Sequence, residues 1–566
     1  LYTMVTVFQR YYVISVMRFN VLIILFLLIV AFCPAYGMAQ AGEERIHCAD
    51  NRERSWWDVT EYRLAVNFDL DRRQLNGEVT IRAAVVGKSP GVLQIDLQEP
   101  MTLTGATLAG ADKRPLSFSR INGHSYHIKG DFDAAGTGSF ILRLSFGGQP
   151  AEALRAPWDG GVVYARDSAG RHWWAVACQG IGASVWFPCK DVPFDEPDSV
   201  TLSYTVPEYY TVIGNGVLEQ QVFNEMERTT TFTWKVRNPV NLYSITFYIG
   251  DYARIKSSYK GIKGRLPITY YCLSGHERRA RRQFRQVQPM LQCFEQKIGP
   301  YPFYADGFKI VEAPYLGMEH QGAIAYGNRY GNGYLGKDRS GSGVGLLFDF
   351  IIVHESGHEW FGNSITASDV AYSWIQEGFT SYTETILAEC LFGKEQAYSY
   401  QRGKRAIILN DLPPEGTPGQ CDGGSGDHYD KSAFMIHTLR TIMRDDERFY
   451  AMLRQMTDTF RHRIVDGKTI ERFLLDWTGN VISPAFFDQY LRTAAIPVLC
   501  LEKSAAGYAV YWDNAVPGFR MPVLLYADGR EVWVTVSTKP VPVRELHPDT
   551  EWIRLSEDIL ADIKFL

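Results

Sequence analysis

The feature that most constrains this chain is the apolar run Leu346-Leu347-Phe348-Asp349-Phe350-Ile351-Ile352-Val353, which ends in His354-Glu355-Ser356-Gly357-His358. An apolar stretch that passes directly into such residues predicts a buried helix, here over Leu346–Phe361. Residues four apart share a helix face, so both imidazoles can reach one ion, while Glu355 projects about 100° away toward a water on that ion. A third ligand must then be packed against this helix. Glu377 is separated from His358 by eighteen residues and lies in the helical segment Trp374-Ile375-Gln376-Glu377-Gly378-Phe379-Thr380-Ser381-Tyr382. Two histidines and one glutamate leave one coordination position open, as a catalytic zinc requires. Iron also accepts two histidines and a carboxylate, but the helical H-E-x-x-H motif and Glu355 beside the water favour zinc hydrolysis over oxygen chemistry. The expected site is therefore one Zn2+ per chain on His354, His358 and Glu377, with Glu355 as general base.

The rest of the chain must build a fold around those two helices. At 566 residues it exceeds what one hydrophobic core supports, and three or four domains are expected. A composition of 46% hydrophobic and 21% charged residues fits packed cores. The formal charge of -5 gives no global attraction to nucleic acid or to an anionic membrane. The basic run Glu277-Arg278-Arg279-Ala280-Arg281-Arg282 lacks interleaved aromatics and reads as a solvated helix face.

From about residue 57 to 255 the apolar pattern has a period of two, as in Tyr62, Leu64, Val66, Phe68 and Leu70, followed by Val79, Ile81, Ala83 and Val85. Asn76-Gly77 between them predicts a hairpin turn. Beyond Pro267 helical spacing takes over, at His276–Gln292, Leu346–Phe361, Lys431–Arg444 and Phe486–Thr493. Alternation returns in Tyr508–Val510 and Val532–Val536. The expected fold class is multidomain α+β, with an N-terminal β-sheet domain over 42–256, an α/β catalytic domain over 257–496 and a small C-terminal β-sandwich-like domain over 497–566. The glycine-rich stretches Gly331–Gly345 and Gly416–Gly426 are expected to be mobile loops.

At the N-terminus, Met17-Arg18-Phe19-Asn20 precedes an apolar run from Val21 to Phe32. The run is shorter than the roughly 18 to 20 residues of a membrane span and reads as a signal peptide. Ala39-Gln40-Ala41 or Gly37-Met38-Ala39 offers a cleavage site; an uncleaved anchor is the alternative. Residues 1–16 read as an upstream extension with Met17 as the start, so that 1–41 comprises extension plus signal. A periplasmic or secreted protein is expected, with no stable membrane span after cleavage. The nine cysteines, Cys33, Cys48, Cys178, Cys189, Cys272, Cys293, Cys390, Cys421 and Cys500, contain no C-x-x-C pair, which excludes a cysteine zinc ribbon. Most are expected to be buried thiols.

The pattern H-E-x-x-H, eighteen residues, then Glu377 within Trp374-x-x-Glu377-Gly378-Phe379 resembles the aminopeptidase N and leukotriene hydrolase family of gluzincin metallopeptidases. The family's G-x-M-E-N motif appears as Leu316-Gly317-Met318-Glu319-His320, with Leu and His in place of the first Gly and the Asn. This resemblance implies a thermolysin-like catalytic domain, zinc, and substrate binding at Gly317, Met318 and Glu319, the glutamate holding the substrate's free amino group. Tyr429-Asp430-Lys431-Ser432 resembles Y-x-K-G, which implies that Tyr429 supports the oxyanion. Cys178-Gln179 followed by Phe187-Pro188-Cys189-Lys190-Asp191 resembles the family's segment for a second amine contact, which implies Gln179. Glu384, nearly two turns beyond Glu377, is placed either to orient a ligand imidazole or to face solvent. The implied activity is a zinc aminopeptidase that removes the N-terminal residue of peptides with a free N-terminus, with no nucleic-acid partner and an open oligomeric state. An endopeptidase or leukotriene-type epoxide hydrolase, and a non-catalytic scaffold, are the alternatives. The family's large C-terminal helical domain is not expected here, which would leave the site less enclosed.

Overall fold

In the computed structural model, residues 50–109, 114–132 and 138–566 are described. The expected signal segment, Cys33 and Cys48 lie outside them. The architecture is α+β with several sheets. The strand Trp57–Asp69 buries Tyr62, Leu64, Val66 and Phe68 on one face, the period of two that its sequence shows. It pairs antiparallel with Gln74–Val85. The turn differs from expectation: the chain reverses at Leu70–Arg73, with Arg73 at φ 55°, and Asn76 and Gly77 sit inside the second strand opposite Asn67 and Val66. The glycine serves a close approach, since a Cβ there would lie 2.2 Å from the carbonyl oxygen of Ala65.

That hairpin is central in an eight-stranded sheet, next to a four-stranded sheet formed by Thr211–Gly214, Phe247–Gly250, His172–Ala177 and Gly161–Arg166. A five-stranded sheet follows in the order Tyr252–Gly261, Gly264–Leu273, Phe308–Glu312, Ile324–Tyr326, Gly317–Met318. Its last, edge strand carries two of the expected substrate residues. The helices are α1 (Glu277–Gln283), α2 (Val287–Ile298), α3 (Phe350–Gly357), α4 (Ser373–Phe392), α5 (Lys394–Lys404), α6 (Asp427–Met443), α7 (Asp446–Thr459), α8 (Gly467–Thr478) and α9 (Ala485–Leu491). The helix expected over His276–Gln292 is divided by a 3-10 turn at Phe284–Gln286. Helix α3 starts later than expected because Asp349 caps it, accepting from the backbone amides of Ile351 and Ile352. Helix α6 starts earlier, which places Tyr429 in its first turn.

Four- and three-stranded sheets end the chain. Their apolar residues, among them Leu499, Val510, Trp512 and Met521, share one core with Phe486, Tyr490 and Leu491 of α9 and Phe434 and Leu439 of α6. Polar contacts reinforce this junction: the Tyr490 hydroxyl donates to the Leu560 carbonyl at 2.6 Å, and Arg402 holds Asp558 through bonds of 2.7 and 2.8 Å.

Among the described cysteines most are buried thiols, as expected, but not all. Cys293 of α2 and Cys390 of α4 form a disulfide, and Cys421 is disulfide-bonded as well. Cys178, Cys189, Cys272 and Cys500 are buried thiols. Packing α2 against α4 brings the Cα atoms of Cys293 and Cys390 to 6.1 Å, within bonding range, a proximity that no local spacing announces. No helix among the described residues is long and apolar enough to cross a membrane.

Candidate active site

Helices α3 and α4 lie against each other and bring His354, His358 and Glu377 together. Glu377 Oε2 is 3.5 Å from His354 Nε2 and 3.2 Å from His358 Nε2. Each imidazole is held by its other nitrogen. His354 Nδ1 bonds Glu384 Oε1 at 2.9 Å, and His358 Nδ1 donates to the Phe361 carbonyl at 2.9 Å. The Phe350 ring stacks on His354 at 5.2 Å with a 13° interplanar angle. Both Nε2 atoms therefore turn inward as acceptors for an ion, the arrangement that fixes a ligand's tautomer. Glu377 Oε2 is buried without a hydrogen-bond partner, so the donor set ends in an oxygen that a divalent cation would satisfy.

Electrostatics points the same way. Burial disfavours charged imidazoles, yet the facing carboxylates of Glu377 and Glu384 outweigh it and push His354 up to about 10. His358 rises to about 9, burial again being overcome, by the charges of Glu377 and Glu319. Glu377 is held well below the usual carboxylate range because His358 and His354 outweigh its burial. The cluster is rich in carboxylate and draws in positive charge, the demand a bound metal meets.

Glu355 lies one step along α3. Burial, with Glu319 and Glu377 nearby, pushes its carboxyl up to about 7 against the pull of the two histidines. That value is poised for proton transfer near neutrality. Glu319, Glu355 and His358 offer ligand atoms within 4.8 Å of one another, as do His354, His358 and Glu377. The edge strand approaches α3 so closely that a Cβ on Gly317 would sit 2.5 Å from Glu355 Oε1, so a larger residue here would displace the Glu355 carboxylate. Asn363 fixes the strand end by donating to the Glu319 carbonyl at 2.8 Å. From the N-terminal sheets, Gln179 donates to Glu319 Oε1 and Glu377 Oε1, both at 3.1 Å. Tyr429 closes the group, its ring 5.9 Å from that of His354. Burial, then Glu377, Glu319 and Glu355, raise its phenol well above the ordinary value, so it stays a hydrogen-bond donor.

One expected residue and its neighbour in the motif point elsewhere. Met318 packs into the core shared with the N-terminal sheets. His320 is buried against Tyr248, whose hydroxyl lies 2.6 Å from its Nδ1, and burial pushes it down to about 3, leaving it neutral. The stretch Gly331–Gly345, expected to be a mobile loop, is pinned: Asp338 accepts from the Ser340 amide at 2.9 Å and Arg339 pairs with Asp430 at 2.7 Å.

Glu384 is buried rather than solvated, and Lys404 and bonds to His354 hold it down to about 2 despite that burial. Tyr400 donates to its Oε2 at 2.7 Å and Lys404 at 3.0 Å. Sequence reasoning missed Tyr400, Lys404, Arg339 and Tyr243. The last has a buried hydroxyl without a hydrogen-bond partner, and its pKa is raised well above the ordinary value by burial and by Glu319. None of these four stands in a motif.

Residues 283–412 match the model of the peptidase family M1 domain. Among curated proteins, aminopeptidase B of Mus musculus is 25% identical over 375 residues, covering 60% of this chain and 53% of that protein. Glutamyl aminopeptidase of Homo sapiens is 24% identical over 293 residues, covering 50% of this chain and 28% of that protein. The chain thus spans about half or less of the length of these relatives. Among solved structures, the M1 zinc metallopeptidase from Deinococcus radiodurans superposes with a TM-score of 0.62 at 19% identity, over 79% of this chain and 96% of that one. A variant of that enzyme bound to a Tyr-Ser-Ala substrate gives a TM-score of 0.61 at 18% identity, over 78% and 96%. The domain match, the aminopeptidase relatives and the shared fold agree with the site's geometry: residues 283–412 resemble a peptidase family M1 domain, in a chain whose fold is shared with an M1 zinc metallopeptidase.

Proposed function

We propose that this protein is a zinc aminopeptidase that hydrolyses the first peptide bond of substrates with a free N-terminus. The observation that carries the reading is the buried carboxylate of Glu319, set within 4.8 Å of ligand atoms on Glu355 and His358 and bonded by Gln179. An anion at that fixed distance suits an ammonium group and sets cleavage after one residue. His354, His358 and Glu377 would hold the zinc, a donor set that suits this metal. When bound, zinc supplies a Lewis acid that acidifies water and polarises the scissile carbonyl. Glu319 and Gln179 anchor the amine. Glu355 accepts a proton from the attacking water and returns it to the leaving amine. Tyr429 donates to the developing oxyanion.

Export is part of the same reading. The Cys293–Cys390 disulfide is of the kind that persists in oxidising compartments, and it supports a periplasmic or secreted protein. The function is tested by supplying purified protein with matched free and N-acetylated peptides, with and without a chelator. Release of single N-terminal residues, abolished by chelator and by acetylation, is expected. Cleavage of the blocked peptides would make the protein an endopeptidase, and no cleavage despite bound zinc would point to another substrate.

A further inference from the structure

The ligand helix and the helix of Tyr429 are joined through Lys404, the last residue of α5. Its ammonium is 0% exposed and donates to Glu384 Oε2 at 3.0 Å and to the Ser381 carbonyl at 3.4 Å. It also lies 3.0 Å from Asp430 Oδ1. Glu384 divides its oxygens, with Oε1 on His354 and Oε2 on Lys404 and Tyr400. Asp430 divides its own, the other oxygen taking Arg339 at 2.7 Å. The Arg339 guanidinium lies 5.3 Å from the centre of the Phe350 ring, and Phe350 stacks on His354. A closed circuit of contacts results: His354, Glu384, Lys404, Asp430, Arg339, Phe350 and back to His354.

Burying an ammonium costs several kcal/mol unless it is well paired, so a cation at this point needs a reason. Glu384 could accept from an imidazole without it. What the ammonium adds is position, because it joins Tyr400 in holding the second oxygen of Glu384 and links it to Asp430, the residue that follows Tyr429.

We propose that Lys404 is a positioning residue that sets the orientation of His354 through Glu384 and the placement of Tyr429 through Asp430. This rests on the reading of His354, His358 and Glu377 as metal ligands.

The test uses the full chain loaded with Co2+, whose visible spectrum reports ligand geometry, with Co2+ affinity measured by chelator competition. Lys404→Met, Glu384→Gln and the double variant are compared with the parent. Lys404→Met is expected to weaken Co2+ binding about 10- to 100-fold and shift the visible band, with far-ultraviolet circular dichroism unchanged. The double variant is expected to bind no more weakly than Glu384→Gln alone. A folded Lys404→Met with parental spectrum and affinity overturns the proposal, as does additivity in the double variant. Should Lys404→Met fail to fold, Lys404→Arg keeps the charge on a wider, planar head. It must then show a displaced band and a lower kcat at unchanged KM, and a parental spectrum overturns the proposal. A parent that takes up no Co2+ overturns the metal-site reading and this proposal together; a parent that binds while the variants match it overturns only the positioning role.

Discussion

Two clusters of buried charge lie in the same helical layer, and they are built on opposite plans. Around Arg440, the chain's own cations face its carboxylates: the guanidinium lies 2.6 Å from Glu389 and 2.9 Å from Asp446. Lys394 and Lys297 add cations beside the same carboxylates, and Tyr450 donates to Glu389 at 2.8 Å. Around His354 and His358, Glu319, Glu355 and Glu377 meet with no lysine or arginine among them. A balanced cluster holds helices together. An unbalanced one is held ready for something outside the chain, and the imbalance is what its neighbours Lys404 and Tyr400 keep in place.

This contrast can be broken from either side. The largest effect is expected for Glu355→Gln, which removes the candidate base without touching the ligands: kcat on a free-amine peptide should fall about a thousandfold or more, with bound metal and melting temperature unchanged. The mirror result is expected for Arg440→Met, which leaves Glu389 and Asp446 without their central cation. Urea unfolding should show a loss of about 3 to 5 kcal/mol, while kcat per folded molecule stays near the parent. A large kcat defect in Arg440→Met would show that the two clusters are not independent. Tyr429→Phe is expected to lower kcat about a hundredfold with little change in KM, as for loss of one oxyanion donor, and an unchanged kcat would remove Tyr429 from the reaction.

The smallest effect concerns the junction between the helices and the terminal sheets. Burial opposes the charge on Asp558, but hydrogen bonds from His437 and Arg402 outweigh it and hold its carboxyl down to about 2 from the ordinary 3.8. A depressed carboxylate stabilises the fold fully above 3.8, and the benefit drains as pH falls through about 2. The difference amounts to about 2 kcal/mol. Asp558→Asn should be less stable by that amount at neutral pH and should flatten the acid limb of the stability curve. An acid limb identical to the parent's would mean that another carboxylate carries it.

How far the sequence reached depends on how local each signal is. The candidate ligands His354, His358 and Glu377 were legible because helical geometry and one spacing define them, and the structure brings them together on α3 and α4. Glu319, Gln179 and Tyr429 came from motifs, and they too gather at the site. Met318 and His320 carry the same motif into the N-terminal core instead, since alternate residues near a strand end face opposite ways. The Asn76-Gly77 turn failed because a glycine in a strand answers equally to a neighbouring backbone. The circuit through Lys404, Asp430 and Arg339 joins three separate segments, so no window of sequence contains it. The same holds for the pairing of Cys293 with Cys390.

That disulfide spans 97 positions of sequence, and between its two cysteines lie Glu319, His354, Glu355, His358, Glu377 and Glu384. Most of the site is therefore written on one covalent ring, with Gln179, Lys404 and Tyr429 supplied from outside it. A single protease cut within Gly331–Gly345 would open the ring without releasing a fragment. Such a nicked molecule would run as one band without reductant and as two with it, and it could still present its ligands side by side. Sample integrity for this protein is thus to be judged with reductant present, because a gel without it would count nicked chains as intact.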